Sequence, residues 1–444
     1  MIDRGTARTA NAGLASGDEG VFRNPEWAYA RLLLSQLGCG PAAIAGLGDP
    51  PALGWRRAGL MAVTGTPDGP PLMAPAALGA AADGALLALK ALAPHAHFPA
   101  QGAMLLGERA RMLGLSRQGR VSANGSCHLF DAADGRIALN LARPDDMLLV
   151  SILAGCDAGD LKSVANAIRL MRVDSVMEQG IELGLPIARD RPAPSGPALF
   201  APVGPAMRTG GRPLVVDFSA LWAGPLAASL LHMAGAEVIK VESRTRPDGA
   251  RAGSPGFYNL LNAGKRSVVI DFADDNALRA LHRLVARADI VIEASRPRAL
   301  RRLGIDRDAA VARGTVWVGI TAYADEDRIG FGDDAAVEAG LVSAMEACCG
   351  EAVFVGDAIA DPLTGIHAAL AAWAGWMSGK GALLPLTLAG TVSHAMRAGI
   401  ADRAVYADWQ RQAEADTAPF YPLRADRGVA EPAGADTREV LERC

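Results

Sequence analysis

The run Val355-Gly-Asp-Ala-Ile-Ala-Asp361-Pro-Leu-Thr-Gly-Ile-His-Ala-Ala369 sets one acid, Asp361, directly before a proline and a Thr-Gly pair. A small-residue stretch with helical character, Ala368 to Met377, follows. Proline is preset for the first helical turn, so the spacing predicts a carboxylate at or beside a helix N-cap. Unpaired backbone N–H groups and the positive end of the helix dipole would keep such a group ionised. A carboxylate held there is either an ordinary cap or a nucleophile. The run alone leaves both readings open.

Other candidates surround it in the sequence. Ser219-Ala-Leu-Trp-Ala-Gly-Pro225 turns a strand into a helix without GxGxxG spacing, so ordinary dinucleotide binding is unsupported. Asn262-Ala-Gly-Lys-Arg-Ser267, read as lying between two extended segments, and Ser295-Arg-Pro-Arg-Ala-Leu-Arg-Arg302 place cations in loops, as do Arg244, Arg246 and Arg251. These form either a solvated surface or a rim for a phosphorylated ligand. His95 and His97 have no acidic or thiol neighbours suited to a metal, so no metal site is expected. His367, six residues beyond Asp361, falls on another helix face, and Cys348-Cys349 reads as a structural thiol pair.

The elements that must position these groups follow from periodicity. Apolar runs at 213–218, 236–242, 267–271, 289–293 and 315–321 alternate with helical stretches at 225–234, 276–287 and 298–303. That order predicts right-handed crossovers and a mostly parallel, Rossmann-like α/β sheet with helices on both faces. Such a sheet binds ligand beyond the carboxyl ends of its strands. Upstream, 26–37 and 74–92 read as helices. Residues 126–130 and 136–141 flank an Asp134-Gly135 hairpin signal, helical stretches follow near 145–155 and 159–170, and residues 174–183 then lead into Leu185–Ala188, making a smaller α+β domain. The expected division is a flexible tail at 1–24, a helical segment at 25–100, the small α+β domain and linker at 101–204, and the large domain at 205–444. The Pro/Gly-rich stretch Ala188–Pro205 is read as the linker.

Half of the 444 residues are apolar but only 5% are aromatic, so the core must be packed from Ala, Leu and Val. A net charge of −4 argues against a nucleic-acid partner. The six cysteines lack CxxC spacing, the start lacks a signal-peptide core, and Leu72–Ala93 is interrupted by Asp83 and Lys90. A cytoplasmic protein with reduced thiols and no membrane span is expected.

Residues 213–304 resemble the class III CoA-transferases, the family that includes formyl-CoA and carnitine CoA-transferases. The pieces are Val-Val-Asp217-Phe, Ala223-Gly-Pro, Gly235–Glu242, Gly264–Asp271 and Ala288–Glu293, in the family's order. Asp361-Pro-Leu-Thr-Gly365 is similar to the segment bearing that family's nucleophile, and Gly434–Leu441 to its C-terminal signature. The first half also resembles the family, out of order. A small-domain-like region around Asp134-Gly135, 137–139 and Leu183–Ala188 precedes the large domain. Before it, Gly59–Gly65 and Pro70–Pro75 look like a second approach to a catalytic aspartate, with Ala74 where the acid would stand. The chain thus reads as a rearranged member or a degenerate duplication.

The resemblance implies CoA transfer from an acyl-CoA to an acid through an aspartyl-CoA thioester on Asp361. Acyl-CoA and carboxylic acids would be the partners, with no permanently bound cofactor and a possible homodimer. By the same match Leu221, Arg244, Leu261, Asn262, Lys265 and Arg302 fall in the CoA-contacting region, and Gln118–Gly125 matches the family's active-site loop. Ala220 and Trp222 replace the His and Gln of some members, which favours a less polar acyl group. Related racemases place a histidine near Phe331-Gly-Asp-Asp334, where this chain has acids. An acyl-CoA racemase or isomerase, or a non-catalytic CoA-binding protein, remains the alternative.

Overall fold

The computed structural model describes residues 24–40, 44, 48–156, 160–193, 198–208, 210–295, 298–425 and 427–443. The tail expected at 1–24 therefore lies almost wholly outside the described residues, as do Arg296 and Pro297 of the Arg-rich loop. Three antiparallel strands form a small sheet in the order β1 (Cys127–Ala132), β2 (Gly135–Asn140), β3 (Ile187–Asp190). Ala132 pairs with Gly135, so the two-residue turn is Ala133-Asp134, and Gly135 already belongs to the strand. The hairpin is where it was expected, but shifted by one residue. Strand β3 takes up residues 187–190, so the linker begins only after it. Helices Asp146–Ala154, Leu161–Ile168 and Val173–Glu182 cover one face of this sheet around Phe130, Ile137, Leu139, Val150 and Val176.

The large sheet has six strands, all parallel: β4 (Leu214–Asp217), β5 (Glu237–Ser243), β6 (Arg266–Ile270), β7 (Ile290–Glu293), β8 (Val316–Thr321) and β9 (Ala382–Thr387). Their order is β6-β5-β4-β7-β8-β9, so the crossover direction reverses between β4 and β7. Five of these strands match the sequence pattern. The sixth, β9, went unread because Pro385 interrupts it, and Pro385 is tolerated because β9 is an edge strand. The other edge, β6, is covered by the C-terminal segment. Asp436 accepts from the Ser267 N–H at 2.8 Å and the Thr437 hydroxyl from the Val269 N–H at 3.0 Å. This capping removes an open sheet edge.

One sheet face packs on helices Ala223–Met233 and Ala360–Met377, which approach closely because Gly365 has no side chain. A Cβ there would lie 2.7 Å from the Ala223 carbonyl. Helices Pro25–Leu37 and Leu78–Leu92 pack on each other and on the Ala360–Met377 helix, so the 25–100 segment shares that core. Asn262 ends a helix, Pro255–Asn262, rather than standing between two extended segments. Pro255 sits in its first turn and the Ser254 hydroxyl accepts from the Phe257 N–H, a capped start.

Candidate active site

The Ala360–Met377 helix starts eight residues earlier than its small-residue pattern indicates, with Ile359 as its N-cap. Asp361 lies in the first turn, makes no side-chain cap, and its N–H donates to Ala358 O at 2.9 Å. Its carboxylate rests against the backbone at Gly332, where an added Cβ would fall 2.1 Å from Oδ2 and 2.7 Å from the Ala358 carbonyl. Gly332 thus makes room for the acid.

Three further carboxylates surround it, each fixed by partners. Asp357 is gripped bidentately by Arg109, with contacts of 2.5 and 2.8 Å. Asp333 accepts from the Ala358 N–H at 2.8 Å and from Asn124 at 3.0 Å. Asp334 accepts from Asn140 and from the Phe331 N–H, both at 2.9 Å, and from the Tyr323 hydroxyl. Asp361 differs from all three: no hydrogen bond or ion pair among the described residues engages its carboxylate.

The electrostatics follow. Burial pushes the Asp361 carboxyl up to about 7; Arg109 opposes this, while Asp333, Asp334 and Asp357 add to it. The expectation that the helix start keeps it ionised is overturned. Loss of hydration and three neighbouring acids outweigh the dipole, whose effect on a side chain is typically about 0.3–1 kcal/mol. Burial likewise raises Asp333 and Asp334 to about 6.

Backbone strain is concentrated here. Leu221 (φ 66°) and Ala358 (φ 41°) are the two non-glycine residues with positive φ among the described residues. Each is pinned by a carboxylate accepting its N–H: Asp248 holds Leu221 at 3.0 Å, and Asp333 holds Ala358. Such conformations cost on the order of 1–3 kcal/mol and persist where surrounding structure enforces them. Both residues line the space around Asp361. Because the Leu221 N–H is committed to Asp248, it is not free to stabilise an oxyanion.

Two cavities meet at Asp361 and share Arg143, Leu221 and Phe331. The outer one, about 330 Å³, opens at the carboxyl ends of β4, β7 and β8 through Ala220, Ser295 and Thr321, with Arg246 and Arg328 on its walls. The inner one, about 460 Å³, is walled mainly by Leu113, Trp222, Phe257 and Phe331, with Arg109, Asn124 and Asn140. Arg109 stacks on Trp222, 4.8 Å from the ring centroid. The Gln118–Gly125 loop is anchored by Phe354, whose N–H donates to Gly119 O at 2.9 Å, and it delivers Asn124 to the inner cavity.

Of the residues anticipated for CoA, Leu221 lines both cavities. Arg244, Leu261, Asn262, Lys265 and Arg302 line neither. Leu261 is a core residue. Lys265 and Asn262 come together in a buried cluster: the Lys265 ammonium donates to Asp217, to Asn262 and to the Pro225 carbonyl, each at 3.0 Å. Arg244 is exposed and pairs with Asp271 at 2.7 Å. Arg302 is exposed on the short helix Arg298–Arg302. His367 is buried on another face of its helix, bonded to Tyr29 and the Leu363 carbonyl, and pushed down to about 4 by burial. Among the described residues no histidine lines either cavity and no group of metal ligands occurs.

Arg109, Asn124 and Asn140 escaped sequence reading as site residues. Asp357 was visible four residues before Asp361, and Asp333-Asp334 as acids replacing a histidine. Arg109 carried no local signal, since it lies 248 residues from its partner.

Beyond the strand ends of the six-stranded parallel sheet, an unengaged carboxylate thus stands where two cavities meet. Residues 213–427, just under half of the chain, match the model of CoA-transferase family III. Among curated relatives, a probable fatty acyl-CoA transferase of Mycobacterium tuberculosis is 35% identical over 148 residues, covering 30% of this chain and 37% of its own length. A succinate–glutarate CoA-transferase of Agrobacterium fabrum is 30% identical over 172 residues, or 34% and 43% of the two chains. The matched part thus spans less than half the length of these relatives. A solved Mycobacterium tuberculosis structure (Rv3272) aligns at 30% identity and a TM-score of 0.38, over 42% of this chain and 57% of that one.

Proposed function

We propose that the chain is a CoA-transferase in which Asp361 is the nucleophile. The observation that carries this is the unengaged Asp361 carboxylate at the junction of two cavities, beside three carboxylates that are each held by partners. In the first step an Asp361 oxygen attacks the thioester carbonyl of an acyl-CoA. The C–S bond breaks, leaving an acyl-aspartyl anhydride and CoA thiolate. The thiolate then attacks the aspartyl carbonyl and expels the donor acid as carboxylate, giving an aspartyl-CoA thioester. An acceptor carboxylate attacks that thioester, and the same steps in reverse yield the new acyl-CoA and free Asp361. The reaction is proton-neutral throughout, so no general acid or base is required.

The two cavities suit the two parts of the substrate. The outer cavity, with exposed Arg246 on its wall, fits the pantetheine and phosphates, and exposed Arg244 and Arg302 would extend that cationic rim. The inner cavity fits the acyl group. Water would hydrolyse both intermediates, so the proposal requires bound substrate to fill the two cavities around Asp361. A racemase reading would pair Asp361 with a histidine at the α-carbon, and among the described residues no histidine lines either cavity. We also take the protein to be cytoplasmic, dimeric and without a resident cofactor. No described helix is long and apolar enough to cross a membrane.

The test is chemical. Incubation with an acyl-CoA followed by hydroxylamine should leave a modified peptide containing Asp361, detected by mass spectrometry. Asp361→Ala should abolish exchange of labelled acid into acyl-CoA while melting at a similar temperature. Undiminished exchange in that variant would refute the assignment.

A further inference from the structure

We infer that the inner cavity selects a neutral, apolar acyl group of medium-chain or aryl size and rejects an acyl group bearing a second carboxylate. This rests on the transferase reading for which end of the substrate enters, but it is argued from the cavity walls. At about 460 Å³ the space falls within the roughly 300–1,000 Å³ range of small-molecule sites, far beyond the need of a one- or two-carbon acyl group. Its body is Leu113, Trp222, Phe257 and Phe331, with Trp222 and Phe257 edge-to-face at 5.2 Å. Those rings reward apolar burial.

Two cations reach its wall, and neither is available. Arg109 is clamped on Asp357 and stacked on Trp222. Arg143 donates to Asp146 at 2.8 Å and to the Gly184 carbonyl at 2.8 Å. Of the other polar groups, the Asn140 Oδ1 is a buried acceptor without a partner and cannot receive a carboxylate. Asn124 and Asn140 donate to Asp333 and Asp334, and the Ser126 hydroxyl donates to Asn124 at 2.7 Å. A distal carboxylate entering here would lose its hydration, find no free cation, and face Asp333 and Asp334. An alkyl or aryl tail meets none of these penalties.

The experiment has two arms. In the first, the wild-type enzyme exchanges labelled hexanoate, phenylacetate, glutarate or 4-(trimethylammonio)butanoate into acyl-CoA. The expected result is kcat/KM for hexanoate or phenylacetate at least about tenfold above the other two. Equal or better use of glutarate or of the cationic acid overturns the inference. In the second, calorimetry measures hexanoyl-CoA and glutaryl-CoA binding to Asp361→Ala, which reads the cavity without chemistry. Tighter hexanoyl-CoA binding alongside absent wild-type exchange would sink the transferase reading and keep this one; equal binding would sink this one. Leu113→Arg places a free cation at a half-exposed wall position, and should raise relative glutarate use about tenfold without disturbing a buried pair. An unchanged preference in that variant counts against the wall assignment.

Discussion

Two clusters of buried charge in this molecule obey opposite rules. Around Lys265 every charge is matched: Lys265 with Asp217 at 3.0 Å, Lys240 with Asp248 at 2.8 Å, and Arg251 with Glu242. Burial alone would raise the Asp217 carboxyl, yet Lys265, Lys240 and Ser219 hold it below its ordinary value. That cluster shapes the Ser219–Trp222 turn, because the Lys240 ammonium also donates to the Ser219 carbonyl at 2.8 Å. Around Asp361 four carboxylates share one close cation, and Asp361 is the one left over. The closed cluster builds the wall, and the open one leaves a carboxylate without a partner beside two cavities. Matched buried charge supports architecture, whereas an unmatched carboxylate beside a cavity is a chemical group held in reserve.

The largest test of that contrast is Lys265→Met. It strands Asp217 with no measurable exposure in the core, so stability should fall by about 3–5 kcal/mol, seen as a much lower denaturation midpoint. Retained stability with weakened CoA binding would instead return Lys265 to the ligand rim. Next comes Gly332→Ala. Its methyl group meets the Asp361 oxygen and the Ala358 carbonyl, and only the carboxylate has room to turn. Exchange should fall roughly 10²-fold, the scale of a small misplacement of a reacting group, and the melting temperature should fall as well because the Ala358 carbonyl is backbone and must shift. Full activity would mean Asp361 reacts from another rotamer.

The same contrast explains what the sequence could show. Parallel-strand runs such as 289–293 are legible because burial on both faces demands continuous apolar residues. Strand β9 was hidden by Pro385, and the helix start at Ala360 by the polar and proline residues before Ala368. Asp361 was legible because its neighbours Pro362 and Gly365 are local. Lys265 and Asn262 sit in a motif that reads as ligand-facing, and only packing reveals that Lys265 points inward to Asp217 and the Pro225 carbonyl, and Asn262 to the Tyr258 carbonyl and Lys265. Arg109 was invisible for the reverse reason: its partner lies far along the chain, and an arginine within a helix looks like any solvated one.

The smallest expected effect concerns pH. Attack requires ionised Asp361, whose carboxyl is raised to about 7, so exchange should climb as pH rises through that value and fall away below it. Stability runs the other way. A carboxyl raised on folding contributes most where it is protonated and loses that contribution as pH rises through about 7, so Asp361→Asn should melt higher than wild type above neutrality. Asp333 is one of the groups that raise Asp361, and its ionisation can be removed while an amide oxygen still accepts the Ala358 N–H. Asp333→Asn should therefore move the activity profile to lower pH and increase exchange below neutrality, by about two- to tenfold at most. A profile that stays in place would mean Asp361 does not feel its acidic neighbours, and the open cluster would then be open in geometry alone. A profile that moves to higher pH would show that the Ala358 turn had relaxed. In that case the strain pinned by Asp333, rather than its charge, sets the reactivity of Asp361.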